Sequence, residues 1–325
     1  IVLSGAGATL ENAAGATLRF LADGSAPGSR FEIGGSGLFT NAGTLRVPAA
    51  TTYEVSGSQR WLATATPEIA GELIVSNGTF VSVVPISVPQ LTVTGGTFLS
   101  DAAMSVSRLT LAGGVMAGSG TLTVTETLLW TGGGIGSAES ASGTVEIAGG
   151  ATGTVLLSDE SWGFRRVIAS RLVNRGTLTI DMGSFRSGWN PRLQLAGVSG
   201  VTLENASGAT LRLLGDGYDA SRWASIQGGS GRFANAGTII RTGTGTLTID
   251  VTGPADPSGA ATAGFTNSGT IDVQRGALAV GGVADNSGTL RVAEGANWQA
   301  IGRQWWRDGA ISQIDGELIV AGGTL

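Results

Sequence analysis

The sequence predicts an all-β fold: a single-stranded parallel β-helix (β-solenoid), right-handed, with coils of about 20 residues and loop insertions. Three observations predict it. Short runs alternate apolar and polar residues at period two. Gly pairs and Asn-Gly corners punctuate those runs. One strand-and-corner unit recurs along the chain.

The recurring unit is an aromatic or aliphatic residue, then Asn, then Gly-Thr and an alternating strand. It reads "FTNAGTLRV" (Phe39 to Val47), "LVNRGTLTI" (Leu172 to Ile180), "FANAGTII" (Phe233 to Ile240), "FTNSGTIDV" (Phe265 to Val273) and "DNSGTLRV" (Asp285 to Val292). Relatives are "LENAAGATLRF" (Leu10 to Phe20) and "LENASGATLRL" (Leu203 to Leu213). In "TLRV" the alternation sends Leu45 and Val47 to one face and Thr44 and Arg46 to the other. β-Branched residues suit that pleat. Gly at the corners permits tight bends. Asn41, Asn174, Asn205, Asn235, Asn267 and Asn286 are turn residues that tolerate the left-handed region. Stacked from coil to coil, their amides would form an inward polar ladder.

A second variant fills the middle: "LTVTGGTFLS" (Leu91 to Ser100), "LTLAGGVMAGSGTLTV" (Leu109 to Val124), "LLWTGGGIGS" (Leu128 to Ser137) and "GTVEIAGG" (Gly143 to Gly150). No coil buries its apolar face alone, so neighbours must stack. A β-sandwich also has short strands and Gly-rich turns, but gives no reason for near-identical units. A propeller needs longer and more even repeats. The one helical candidate is Asp159 to Leu172. The expectation is one continuous solenoid over residues 1–325, a segment of a longer repetitive protein. Excursions from the coil are expected at residues 23–30, 58–70, 158–170, 181–192, 215–223, 253–262 and 297–310.

A longer order also shows. "GTLRVPAATTYEVSGSQRW" (Gly43 to Trp61) returns as "GTLRVAEGANWQAIGRQWW" (Gly288 to Trp306), and the match continues from Gly71–Phe80 to Gly316–Leu325. Another offset relates Leu10–Phe20 to Leu203–Leu213. Two different offsets indicate duplication in blocks, as in a growing fibre.

Composition narrows the function. Charged residues are only 13%, yet 42% are apolar, so the chain is not a disordered linker. The net charge of −5 and scattered Arg residues exclude a nucleic-acid footprint. No apolar run reaches the roughly 18 residues of a membrane-spanning helix. There is no Cys and no His, which excludes disulfides, thiol chemistry, ordinary zinc sites and Ser-His-Asp triads. No repeated calcium-binding nonapeptide appears. No cofactor and no metal is expected.

The "NxGTL" and "LTVTGGT…GSGTLTV" strings resemble the β-strand repeats of bacterial extracellular proteins, namely autotransporter passengers and filamentous-haemagglutinin-like adhesins. The resemblance covers Leu10 to Leu325. It implies a right-handed parallel β-helix, export to the cell surface, and an adhesive or matrix role. Neither a secretion cap nor a translocator is recognisable.

Binding chemistry is expected of the Trp and Arg residues: Trp61, Trp162, Trp189, Trp223, Trp298, Trp305, Trp306, Arg222 and Arg307. Most adjoin Arg or lie in the expected excursions, as platforms for glycans or proteins would. Packing of loops onto the coil accounts for them equally well, and Trp130 is expected in the core. Glycan cleavage would need paired carboxylates about 5 to 9.5 Å apart. The nearest pairs are Asp159 with Glu160, Asp216 with Asp219, and Asp308 with Asp315, with Tyr218 and Arg222 near the second. All lie in turn-rich sequence where Asp is ordinary. The expectation is a structural, adhesive segment of an extracellular fibre, not an enzyme. The alternative is a polysaccharide-binding or polysaccharide-cleaving β-helix. Expected partners are host or matrix glycans or proteins and other copies of the chain, with no nucleic acid and no membrane insertion.

Overall fold

The computed structural model describes residues 1–5, 7–21, 28–136, 143–157, 165–184, 191–196, 200–216, 224–254 and 262–321. These residues form strands, turns and bends and contain no helix. Where it is described, the expected helical stretch holds no helix: it is strand at Arg165–Ile168, bends at Ala169 and Ser170, and enters the strand Arg171–Asn174. β-Branched Val and Ile in "RRVI" and "RLVN" suit a pleat better than a helix.

The chain forms two compact units, residues 1–146 and 147–325. In the first, Arg30–Asn41 pairs in parallel with Thr52–Trp61, which pairs onward with Glu72–Val75 and Thr79–Ser82. Glu72–Val75 continues to Ile86–Val93, then to Met104–Ala117 and Thr121–Ile135. A small separate sheet joins Thr17–Arg19, Thr44–Val47 and Thr66–Ile69, also in parallel. Each strand therefore pairs with its counterpart one repeat along the chain. The core follows from that register. Tyr53, Leu73, Leu91, Leu109 and Leu128 stack in one inward column, and Val55, Val75, Val93, Leu111 and Trp130 in the next. Each such side chain, withdrawn from water, contributes about 1.5–3 kcal/mol. Leu45 and Val47 are buried, while Arg46 between them is exposed.

The second unit repeats this logic. Leu211, Ile239, Ile271 and Leu290 form one inward column. Leu172, Leu203, Phe233 and Phe265 form another. The Phe233 and Phe265 rings lie 5.0 Å apart.

Two expected excursions are in large part strand, with turns left at residues 62–65 and 307–310. Residues 58–61 end the strand Thr52–Trp61, and Thr66–Ile69 follows as another strand. Likewise Asn297–Ala300 and Arg303–Trp306 are strands. Gln at an inward position hid the alternation in both places. Within 181–192, Thr177–Ser184 extends into the expected loop and Arg192–Leu195 begins at its end.

The corner residues act differently from expectation. Among the described non-Gly residues only Ala50 has positive φ, so the recurrent Asn do not occupy the left-handed region. They end their strands in ordinary backbone, with the amide turned inward. Nor does positive φ explain the Gly of Asn-x-Gly-Thr. A Cβ on Gly237 would lie 2.4 Å from the carbonyl oxygens of both Ala206 and Ala209. Glycine is required there because backbone crosses backbone from one repeat to the next.

Candidate functional site

The repeated stretches at Gly43–Trp61 and Gly288–Trp306 locate the most distinctive chemistry of the chain. Each lies where a ladder of buried Asn side chains stops.

In the second unit Asn174 Nδ2 donates to Asn205 Oδ1 at 2.8 Å, Asn205 to Asn235 at 2.7 Å, Asn235 to Asn267 at 2.6 Å, and Asn267 to Asn286 at 2.7 Å. The second hydrogen on Nδ2 reaches a main-chain carbonyl. Asn174 donates to Thr210 O at 2.9 Å, Asn205 to Thr238 O at 3.1 Å, and Asn235 to Thr270 O at 3.2 Å. Each amide thus satisfies its neighbour and a corner carbonyl in a dry interior. In the first unit Asn12 donates to Asn41 Oδ1 at 2.7 Å and to Thr44 O at 2.9 Å.

The next repeat reverses the polarity. Trp61 takes the register position above Asn41, and Gln59 the inward position above Phe39. In the second unit Trp306 stands above Asn286 and Gln304 above Ala284. Gln59 is then served from both sides: the Tyr53 hydroxyl donates to its Oε1 at 2.6 Å, and its Nε2 donates to Ile33 O at 3.0 Å. Its twin is built alike. Trp298 Nε1 donates to Gln304 Oε1 at 3.3 Å, and Gln304 Nε2 donates to Val280 O at 3.1 Å. Burial pushes the Tyr53 phenol well above its ordinary range. Sequence reasoning missed Gln59 and Gln304, although their constant offset within the repeated stretch marks them. It also missed Arg241. That buried guanidinium donates to the carbonyls of Leu213, Gly215, Gly245 and Ala277 at 2.6–3.4 Å.

The expected Trp platforms divide accordingly. Trp61 and Trp298 are 0% and 3% exposed, so neither presents a surface for stacking. Trp61 instead meets Phe80 edge-on at 4.9 Å, and Phe80 stacks on Phe98 at 5.2 Å. Both rings keep the inward parity of their strands: Trp61 follows Tyr53, Val55 and Gln59 in Thr52–Trp61, and Trp298 pairs with buried Leu278 in Asn297–Ala300. Trp130 is fully buried. Trp162, Trp189, Trp223 and Arg222 lie outside the described residues, as do Asp159, Glu160, Tyr218, Asp219 and the side chain of Asp216.

Trp305 and Arg307 remain as a pair with access to solvent, while Trp306 stands on the inward side above Asn286. Both rings are half-buried. The Arg307 guanidinium lies 5.1 Å from the Trp305 ring centre. It also grips Asp285 through Nε at 2.8 and 3.0 Å and Nη2 at 2.6 Å. Those hydrogen bonds, then the charge of Asp285, push the Arg307 pKa further up, against a smaller desolvation. The result is an aromatic ledge with a fixed positive plane, suited to stacking and polar contact. Asp308 and Asp315 are exposed, and Asp315 accepts from Gln313 Nε2 at 3.2 Å. Among the described residues no group of three or more carboxylates could hold a metal ion.

Comparison with protein-family models, curated proteins and solved structures finds no match for this chain.

Proposed function

We propose that the chain is a right-handed, single-stranded parallel β-solenoid serving as a structural and adhesive segment of a bacterial extracellular fibre or surface adhesin. The observation that carries the reading is the use made of buried polar groups. The Asn ladder, Gln59, Gln304 and Arg241 all bond across successive repeats. Such bonding fixes register and stiffness and offers nothing to a substrate. Contact would fall to outward side chains, foremost Trp305 and Arg307. Partners on this reading are matrix or host glycans or proteins, and other copies of the chain.

The test is a glycan and matrix-protein array with product analysis on the same material. Retention of an intact ligand, weakened in Trp305→Ala, supports the reading. Release of shortened glycan would replace it with the cleaving alternative.

A further inference from the structure

A shallow groove of about 550 Å³ lies on the first unit, over the small sheet of Thr17–Arg19, Thr44–Val47 and Thr66–Ile69. Register there places Arg19 directly beside Arg46, and Arg46 beside Glu68. All three side chains are exposed. Like charges in register across neighbouring strands repel. Glu68 relieves one of them: its Oε2 lies 2.7 Å from Arg46 Nε, and its Oε1 accepts from Arg46 Nη2 at 3.3 Å. Arg19 has no hydrogen-bond or ion-pair partner among the described residues. The column therefore holds two cations and one carboxylate, and a second carboxylate beside Arg19 would complete it.

The rest of the groove is not built for a bare anion. Its lining also includes half-buried Pro48 and Pro67, buried Phe20, Val47 and Ile69, and exposed Ser87; Pro67 pairs with inward Leu45, so Pro48 is the proline on the Arg46 side. Its volume lies within the range of small-molecule sites, about 300–1,000 Å³. Thr44–Val47, in the floor, is paired on both sides, so it offers no strand edge to an extended peptide.

We propose that this groove binds a carboxylated sugar residue of an acidic glycan. The carboxylate sits between Arg19 and Arg46, the ring rests on Pro48, and hydroxyls meet Glu68 and Ser87. The assignment stands on the groove alone, so it survives or fails separately from the fibre reading.

The experiment is calorimetric titration of the full chain at low salt with a linear galacturonate trimer. Its methyl ester, acetate and poly-L-glutamate are the comparison probes. The trimer is expected to bind one to one and the ester at least about tenfold more weakly. Arg19→Gln should weaken the trimer about ten- to a hundredfold, the range of one charge-assisted hydrogen-bond pair. Arg19→Lys should fall between, since it keeps charge without the planar fork. Glu68→Gln should tighten binding by freeing Arg46, an effect no purely structural role produces. All are surface changes, and unchanged melting curves verify that each variant folds. Absence of binding at millimolar trimer overturns the proposal, as does an Arg19→Gln variant that binds like the parent. Equal affinity for acetate or poly-L-glutamate would also overturn it, showing a general anion site.

Discussion

Replacing Asn205 by Ala removes the middle rung of the ladder. Asn205 accepts from Asn174 at 2.8 Å and donates to Asn235 at 2.7 Å and Thr238 O at 3.1 Å, all in the interior. Three net hydrogen bonds are worth about 1 kcal/mol each, and a stranded buried acceptor adds about 1 kcal/mol or more. The expected loss is about 3–5 kcal/mol, a large effect for one substitution. Asn286→Ala is the control. Asn286 is half-buried and accepts from Asn267 and from Gly288 N, so its loss should cost about 1–2 kcal/mol. Urea titration followed by circular dichroism gives both values, with an unchanged slope showing that the same surface unfolds. If Asn205→Ala costs under about 1 kcal/mol, or no more than Asn286→Ala, the ladder is not what secures the corner.

Other outcomes follow from the same geometry. Gly237→Ala drives a methyl into two main-chain carbonyls and should cost about 3 kcal/mol, whereas Gly229→Ala meets nothing within 4 Å and should be neutral or slightly stabilising in the same titration. Gln304→Leu strands the Trp298 indole N–H and removes one of two hydrogen bonds to the Val280 carbonyl, which keeps Ile301 N, and should lower stability by about 1–3 kcal/mol; Gln59→Leu, its twin, should cost a similar amount. Tyr53 is an acid whose folded pKa is raised. Its contribution is therefore complete below the unfolded value of about 10 and declines above it, by up to about 1.4 kcal/mol per pH unit. In Tyr53→Phe that part of the alkaline decline should vanish, which stability curves at pH 9 to 11 would register.

The alternation of Leu45 with Arg46, and the recurrence of Asn, made the strands and the inward amides legible in the sequence. Period-two patterning depends only on which face each residue takes, and these residues obey it. Gln59 and Gln304 did not, because a polar residue at an inward position looks like a loop until its partners are known. The aromatic donor lies six residues earlier in the same copy, but the carbonyl acceptor lies 26 or 24 residues away, across the repeat. Trp61 and Trp298 were misplaced for a related reason: the polar Gln and Arg nearby read as loop, although both rings keep the inward parity of their strands. The role of Gly237 was hidden as well, since close approach between repeats leaves no local conformational mark. The Arg19 groove lay beyond sequence reading, because "TLR" at residues 17–19 and 44–46 matters only once the strands lie side by side.

The claim beneath all of this is that one repeat rests on the next in fixed parallel register. Thr177, Thr210, Thr238, Thr270 and Thr289 occupy equivalent positions in successive repeats of the second unit. The chain has no Cys, so paired Cys substitutions there accept spin labels cleanly. Electron–electron distance measurements from position 177 to 238, 270 and 289 should lengthen by about 4.8 Å per repeat, whatever the number of intervening residues. Distances that track sequence separation, or that fail to rise in equal steps, would contradict the account.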